Sequence, residues 1–225
     1  MRITLAKTAG FCFGVDRAVK TVEDLLDKSE RVCTLGPIIH NQQLVEELGR
    51  RGARIVGSPD EVKMGETLVI RSHGVEPEVM ENAERLGIKT VDATCPFVAK
   101  IHKIVAGKSR EGYTVLIAGD ASHQEVKGIV GHCLGSVFVF SGEEELSLLL
   151  EKEGNFAGKR IILAAQTTFN EEIFAKCKNI LKKVCTNAEI FDTICNATSM
   201  RQQEARELSG SLSNWLWQNG GVHYA

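Results

Sequence analysis

The chain has 225 residues, of which 43% are hydrophobic and 25% are charged, and these ordinary values exclude a disordered, collagenous or coiled-coil chain. Its 27 Lys and Arg residues are balanced by 29 Asp and Glu residues, so no basic excess favours nucleic-acid binding. No run approaches the ~18 apolar residues of a membrane span, and residues 1–7 lack the layout of a signal peptide. We therefore expect a cytoplasmic protein that contacts neither nucleic acid nor a membrane.

One local pattern recurs along the chain: a short apolar strand, a turn rich in Gly, Ser, Thr or His, and an amphipathic helix. Strands that alternate with helices of this length indicate βαβ units and parallel sheets, so the sequence predicts an α/β fold. In chain order, the predicted strands and the turn residues after them are 3–6 with Cys12, 32–35 with His40, 67–70 with His73, 90–94 with Cys95, 114–118 with His123, 161–165 with Thr167 and 189–194 with Cys195.

The predicted helices begin directly after these turns. One opens near Pro77, a residue favoured at the first helical position, and ends at Gly87. The helices that follow the three cysteine turns run through Leu26, Val105 and Leu208.

Histidine and threonine side chains occupy the turns where open α/β sheets bind ligands, outside the carboxyl ends of the strands. Helix N-termini at these turns offer free backbone N–H groups, which suit a phosphate or another anion. A single histidine in a turn is usually a surface residue. His40, His73 and His123 at equivalent turns together indicate an anion site, with Thr167 at a fourth.

Seven cysteines without a C-x-x-C pair exclude a zinc ribbon, a thioredoxin-type motif and a small-ferredoxin run. Cys12, Cys95 and Cys195 each precede a helix, where the helix N-terminus favours the thiolate that binds metal. Together they could hold zinc or an iron–sulfur cluster, or they could pack as small hydrophobic residues. A role as small hydrophobic core residues suits Cys33, Cys177 and Cys185 better. We assign no role to Cys133.

Glu125 follows His123 by two residues, but the H-x-E pair of a zinc deaminase needs a P-C-x-x-C motif that the sequence lacks. A glutamate in a loop is by default a solvated acid. Beside a histidine-rich anion site it could instead relay protons.

These residues lie in motifs that resemble the 4-hydroxy-3-methylbut-2-enyl diphosphate reductase family. Their order and their spread over most of the chain make the resemblance specific. The motifs are Gly10-Phe11-Cys12-Phe13-Gly14-Val15, Gly36-Pro37-Ile38-Ile39-His40-Asn41, Arg71-Ser72-His73-Gly74, Asp92-Ala93-Thr94-Cys95-Pro96, His123-Gln124-Glu125, Gln166-Thr167-Thr168 and Thr193-Ile194-Cys195-Asn196-Ala197-Thr198.

The resemblance implies three α/β modules in a trefoil around a [4Fe-4S] cluster held by Cys12, Cys95 and Cys195. The fourth iron would bind the allylic hydroxyl of the substrate, which two electrons and protons would remove as water, giving isopentenyl and dimethylallyl diphosphates. Glu125 would deliver protons, with Thr167 helping to hold the relay. Ferredoxin or flavodoxin would supply the electrons. The implied substrate-binding residues are His40, His73, His123 and Thr167.

The expected modules span residues 1–95, 96–193 and 194–225, and the third module is incomplete. After Leu208 the chain departs from the family, because a tail that carries both tryptophans replaces the expected apolar strand, glycine pair and Ser/Asn-rich loop. We interpret this tail as an out-of-frame or otherwise altered terminus.

With its third module incomplete, the chain should expose an apolar patch. The residues expected to face solvent are Ile190, Ile194, Leu208, Trp215 and Trp217. The sequence leaves two hypotheses: a reductase, and a truncated, catalytically silent protein that binds an iron–sulfur cluster or a diphosphate.

Overall fold

The computed structural model describes residues 5–152, 156 and 158–211, in which helices and strands alternate. No helix within these ranges is long and apolar enough to cross a membrane. The strands are β1 (Arg31–Leu35), β2 (Arg54–Val56), β3 (Glu66–Ile70), β4 (Lys89–Asp92), β5 (Thr114–Ala118), β6 (Val137–Phe140), β7 (Ile161–Ala165) and β8 (Glu189–Ile190). The helices are α1 (Phe13–Asp27), α2 (Gln42–Arg50), α3 (Pro77–Arg85), α4 (Pro96–Arg110), α5 (Gln124–Gly131), α6 (Glu143–Lys152), α7 (Glu171–Val184) and α8 (Asn196–Ser211).

The strands form two four-stranded parallel sheets that share one strand order, β2-β1-β3-β4 and β6-β5-β7-β8. Strands β3, β5 and β7 are buried at every residue. Parallel strands covered by helices on both faces have this uniform burial, which explains their continuous apolar runs. The predicted α/β fold with parallel sheets is confirmed.

Alternate side chains of a central strand pack on opposite faces of the sheet. Val69 packs in a cluster with Val22 of α1 and Leu48 of α2, whereas Leu68 packs with Ala83 of α3. The second sheet has an apolar cluster on each face in the same way. Burying each large apolar side chain contributes about 1.5–3 kcal/mol, so the two sheets form separate stable platforms for the turns at their edges.

Equivalent turns of the two sheets carry the residues singled out in the sequence. His40 follows β1 in the first sheet, as His123 follows β5 in the second sheet. In the same way, His73 follows β3 and Thr167 follows β7. Cys95 directly precedes α4, and Cys195 directly precedes α8.

The N-terminal segment is held against α8 by hydrogen bonds between residues far apart in the chain. The backbone N–H groups of Lys7 and Thr8 donate to the two carboxylate oxygens of Glu204, at 2.6 and 2.8 Å. In return, Arg201 donates through Nη2 to the carbonyl of Gly10, at 2.6 Å. These contacts place the start of α1 beside the start of α8.

The structure differs from the sequence-based expectations at both ends of the chain. Residues 3 and 4 of the predicted first strand lie outside the described residues, and Leu5 and Ala6 are not in a strand. The expectation that Ile190 and Ile194 face solvent is wrong. Strand β8 pairs with β7, and both isoleucines pack partly buried against the core of the second sheet. Leu208 is also partly buried, and Trp215 and Trp217 lie outside the described residues.

A buried carboxylate gives the first sheet a pH-dependent component of stability. Glu66, at the start of β3, accepts hydrogen bonds from Arg54 Nη2 and Nε at 2.7 and 3.1 Å, across the intervening strand β1. These bonds, aided by the backbone N–H of Lys63, lower the pKa of Glu66 to about 2 from 4.5 against the opposing effect of burial. The depressed pKa means that this stabilisation is present above pH ~4.5 and is lost as the pH falls through about 2.

We therefore expect Glu66→Gln to lower the free energy of unfolding by about 1–3 kcal/mol at neutral pH. The difference from the wild type should shrink progressively below pH ~4.5. Urea unfolding followed by circular dichroism over this pH range measures both quantities. Glu81→Gln, at an exposed position of α3, is the control. A Glu66→Gln loss that stays constant with pH would show that the charge of Glu66 contributes nothing.

Candidate functional site

Three histidines from the two sheets converge at one place. The ring centroids of His40 and His73 are 5.5 Å apart, those of His73 and His123 are 5.2 Å apart, and those of His40 and His123 are 6.4 Å apart. One ring nitrogen of each histidine lies within 4.8 Å of the others, so the trio could hold a metal ion or a small anion. The predicted convergence of the three turns is therefore present.

Two of these imidazoles favour the neutral form in the free protein. Burial, followed by the charges of His123, Arg71 and His40, lowers the pKa of His73 to about 3. Burial also lowers the pKa of His123, whose Nδ1 accepts the backbone N–H of Glu125 at 3.1 Å. The Nδ1 of His73 is buried and has no hydrogen-bond partner among the described residues. Buried polar atoms are normally hydrogen-bonded, so this nitrogen is suited to bond a ligand.

Glu125 lies beside the histidine trio in a position that a loop glutamate would not have. It is the second residue of α5 and is only 2% exposed, so the default interpretation as a solvated loop acid is wrong. Its two carboxylate oxygens accept the backbone N–H and the hydroxyl of Thr167, at 2.7 and 2.8 Å. Burial raises the pKa of Glu125, while both hydrogen bonds act in the opposite direction. The net effect favours the protonated form of this carboxyl group more than solvent would, as a proton donor requires.

The three predicted thiols occupy matching positions at helix starts. Cys12 and Cys95 are the N-cap residues of α1 and α4, and Cys195 directly precedes α8. All three are half-buried, whereas Cys33, Cys177 and Cys185 are almost completely enclosed in the apolar cores.

Cys133 also differs from the three half-buried thiols at helix starts. Its sulfur is 3.4 Å from the carbonyl of Ile129, and burial raises its pKa to about 12. A thiol with so high a pKa remains protonated at neutral pH, so Cys133 is a poor metal ligand.

Cys95 shows that the three thiols lie close enough to interact. Burial raises its pKa, the backbone N–H groups of Phe97 and Val98 lower it, and the charges of Cys12 and Cys195 raise it again. Gly14 leaves room for this sulfur, because a Cβ at that position would lie 2.6 Å from the Cys95 Sγ. The donor set, the amide hydrogen bonds and this space all fit an iron–sulfur cluster.

Backbone hydrogen bonds connect the thiols to the polar residues of the two sheets. The N–H of Cys95 donates to the carbonyl of Ser72, next to His73, at 2.9 Å. The N–H of Cys195 donates to the carbonyl of Thr167, also at 2.9 Å. These bonds tie Cys95 to the turn of His73, and Cys195 to Thr167, whose side chain bonds Glu125.

Two features of this site were not predicted from the sequence. Gly14 makes space for Cys95, and Arg71 lies among the histidine turns with its Nε buried and unpartnered. Both residues belong to the motifs quoted above, but their roles depend on contacts between segments that are distant in the chain.

The fold and site define a class of parallel α/β proteins that combine thiols at helix starts with a cluster of three histidines. The family model described as LytB protein matches residues 3–216. The chain therefore belongs to the LytB family.

Curated relatives of the chain share one description, 4-hydroxy-3-methylbut-2-enyl diphosphate reductase. The one from Geobacter sp. (strain M21) is 41% identical over 212 residues, covering 94% of this chain and 73% of the relative. The one from Aquifex aeolicus (strain VF5) is 41% identical over 211 residues, covering 92% and 71%. The chain thus spans about three quarters of the length of these relatives.

Solved structures show the same similarity. A structure of (E)-4-hydroxy-3-methyl-but-2-enyl diphosphate reductase, described as the terminal enzyme of the non-mevalonate pathway, has a TM-score of 0.75 at 41% identity, covering 93% of this chain and 74% of that one. The structure of E-1-hydroxy-2-methyl-but-2-enyl-4-diphosphate reductase from Plasmodium falciparum has a TM-score of 0.82 at 28% identity, covering 90% and 63%.

The hydroxyl of Thr167 should matter for stability as well as for the site. Thr167→Val removes one hydrogen bond to a buried carboxyl group, and we expect it to lower the free energy of unfolding by about 1–3 kcal/mol. Urea unfolding at neutral pH measures this loss. Thr168→Val is a matched control, because Thr168 is exposed and its hydroxyl only accepts a hydrogen bond from Gln166. Equal losses in the two variants would contradict a stabilising role for the Glu125 contact.

Proposed function

We propose that this chain catalyses the reductive dehydroxylation of (E)-4-hydroxy-3-methylbut-2-enyl diphosphate. The allylic C–O bond breaks, two electrons enter the carbon skeleton, one proton joins the hydroxyl to form water and a second proton joins carbon. The products are isopentenyl and dimethylallyl diphosphates. The observation that carries the proposal is that, in a LytB-family chain, the histidine trio and the buried Glu125 lie at turns that bond to the backbone of Cys95 and Cys195.

The histidine trio binds the diphosphate group of the substrate in this proposal. Three imidazoles alone could also bind a divalent metal ion, but Arg71 lies near them without a carboxylate partner among the described residues. A cation would be repelled by the guanidinium, whereas a diphosphate would be attracted. The unpartnered Nδ1 of His73 and Nε of Arg71 are two buried nitrogens that could serve such a ligand.

Cys12, Cys95 and Cys195 hold a [4Fe-4S] cluster in this proposal. When bound, such a cluster supplies electrons and one iron without a cysteine ligand, where the allylic end of the substrate can lie. The helix N-termini stabilise the thiolates with backbone N–H groups, as they do for Cys95. In this proposal the histidine trio holds the diphosphate end of the substrate and the cluster takes the allylic end.

Glu125 delivers the proton that converts the departing hydroxyl into water. Burial raises its pKa, which favours the protonated carboxyl group that can release a proton to a leaving group. Thr167 fixes the carboxyl orientation through both hydrogen bonds, and its carbonyl accepts the N–H of Cys195. The acid is therefore linked through Thr167 to the backbone of Cys195.

A ferredoxin or a flavodoxin supplies the two electrons in this proposal.

The proposed modules are residues 1–95, 96–193 and the start of a third from residue 194, arranged as a trefoil around the cluster. The first two would each contain one of the two parallel sheets.

Cluster loading should depend on the three helix-start thiols. We expect Cys12→Ala, Cys95→Ala and Cys195→Ala each to lose most bound iron and sulfide after anaerobic reconstitution, because each removes one ligand. Cys33→Ala and Cys177→Ala remove thiols that are buried in the cores and serve as matched controls. Iron and sulfide analysis per chain gives the result. Zinc binding without sulfide, or equal losses in the controls, would overturn the ligand assignment.

Glu125→Gln should leave cluster content and substrate binding intact but lower turnover by about 10²–10⁴-fold, because an amide keeps the shape without the transferable proton. The assay follows loss of the allylic diphosphate with a chemical reductant under anaerobic conditions. Glu111→Gln, at the exposed end of α4, is the control. A loss below about tenfold would exclude Glu125 as the proton donor. Wild-type protein with a cluster but no turnover would favour the binding-only hypothesis.

A further inference from the structure

Arg71 occupies the centre of the three histidine turns. It directly follows β3, two residues before His73. Its Nη2 donates to Oε1 of Gln124 at 3.0 Å, next to His123. Its guanidinium also lies against Gly36, in the turn that leads to His40, where a Cβ would be 2.6 Å from Nη1. One side chain thus contacts or adjoins all three turns.

The charge of this guanidinium is not neutralised within the described part of the chain. Its pKa is lowered by burial alone, with no contribution from a carboxylate. Its Nε is buried and has no hydrogen-bond partner among the described residues. A partly buried cation with an unused donor is costly unless an anion completes it.

Arg71 of the first sheet has an equivalent residue in the second sheet. The N–H of Cys95 bonds to the carbonyl of Ser72, and the N–H of Cys195 bonds to the carbonyl of Thr167. The residues directly before these two carbonyl groups, Arg71 and Gln166, are therefore equivalent. Each side chain packs against the first glycine after the neighbouring strand. The pairs are Arg71 with Gly36 and Gln166 with Gly119.

Gln166 performs this packing role without a charge. Its Oε1 accepts the backbone N–H of Asp120 at 3.1 Å, which fixes the turn that leads to His123. A neutral amide is therefore sufficient to support a turn at this position of the fold. The positive charge of Arg71 is therefore not needed to support the turn.

We infer that Arg71 is a substrate-binding residue that supplies the fixed positive charge of the diphosphate pocket. The inference rests on the proposed function and extends it to a residue outside the histidine trio. The neutral imidazoles contribute hydrogen bonds, and the guanidinium contributes the charge and a donor, Nε, for a phosphate oxygen. The ligand class is a diphosphate group, bound by both kinds of donor.

Arg71→Gln tests this directly, because it copies the residue that the second sheet uses. We expect it to weaken binding of inorganic diphosphate by about 10- to 100-fold, measured by isothermal titration calorimetry on the anaerobic protein. Arg71→Lys should recover most of the affinity, since it restores the charge. Arg110→Gln removes the same charge from the exposed end of α4 and should leave the affinity unchanged.

Thermal unfolding of the same variants separates binding from structure. We expect Arg71→Gln to unfold at the wild-type temperature. A lowered unfolding temperature together with no recovery in Arg71→Lys would overturn the inference in favour of a structural role. If Arg71→Gln binds diphosphate as tightly as the wild type does, the inference about Arg71 is overturned, but the proposed anion pocket is not. Absence of diphosphate binding by the wild type would instead overturn the proposed anion pocket, and the inference with it.

Discussion

Parallel strand pairing is the constraint on which the rest of this structure depends. Because β3 pairs with β4 and β7 pairs with β8 in parallel, the chain leaves each pair at the same edge of its sheet. The two ladders continue beyond the strands as the hydrogen bonds from Cys95 to Ser72 and from Cys195 to Thr167. Backbone hydrogen bonds thereby position Cys95 and Cys195 beside the polar turns of the two sheets.

The sequence pattern predicted much of this arrangement because the relevant signals are local. A continuous apolar run such as 161–165 marks a buried parallel strand, and a turn residue before a helix marks a ligand position. Strands β2 and β6 and helix α6 were missed. Strand β2 has only three residues, one of which is exposed, and none of the four residues of β6 except Phe140 is fully buried. Such short edge strands carry weak periodicity.

Long-range packing explains what the sequence could not supply. Glu125 follows a histidine and has no apolar neighbour before it, yet its position in α5 places it under the turn that holds Thr167. The outward orientation expected for Ile190 and Ile194 failed for a related reason. The prediction left these side chains uncovered because the third module is incomplete, whereas β8 pairs with β7 and both isoleucines pack against the core of the second sheet.

The contact between the N-terminal segment and α8 has a consequence for how the protein is made. Glu204 and Thr8 are separated by 196 residues, so the segment before Cys12 has no docking surface until nearly all of the described chain has left the ribosome. Contacts of such high sequence separation form late, after the two sheets have gained their own cores. The segment that carries Cys12 can therefore dock beside Cys195 only after α8 has been synthesised.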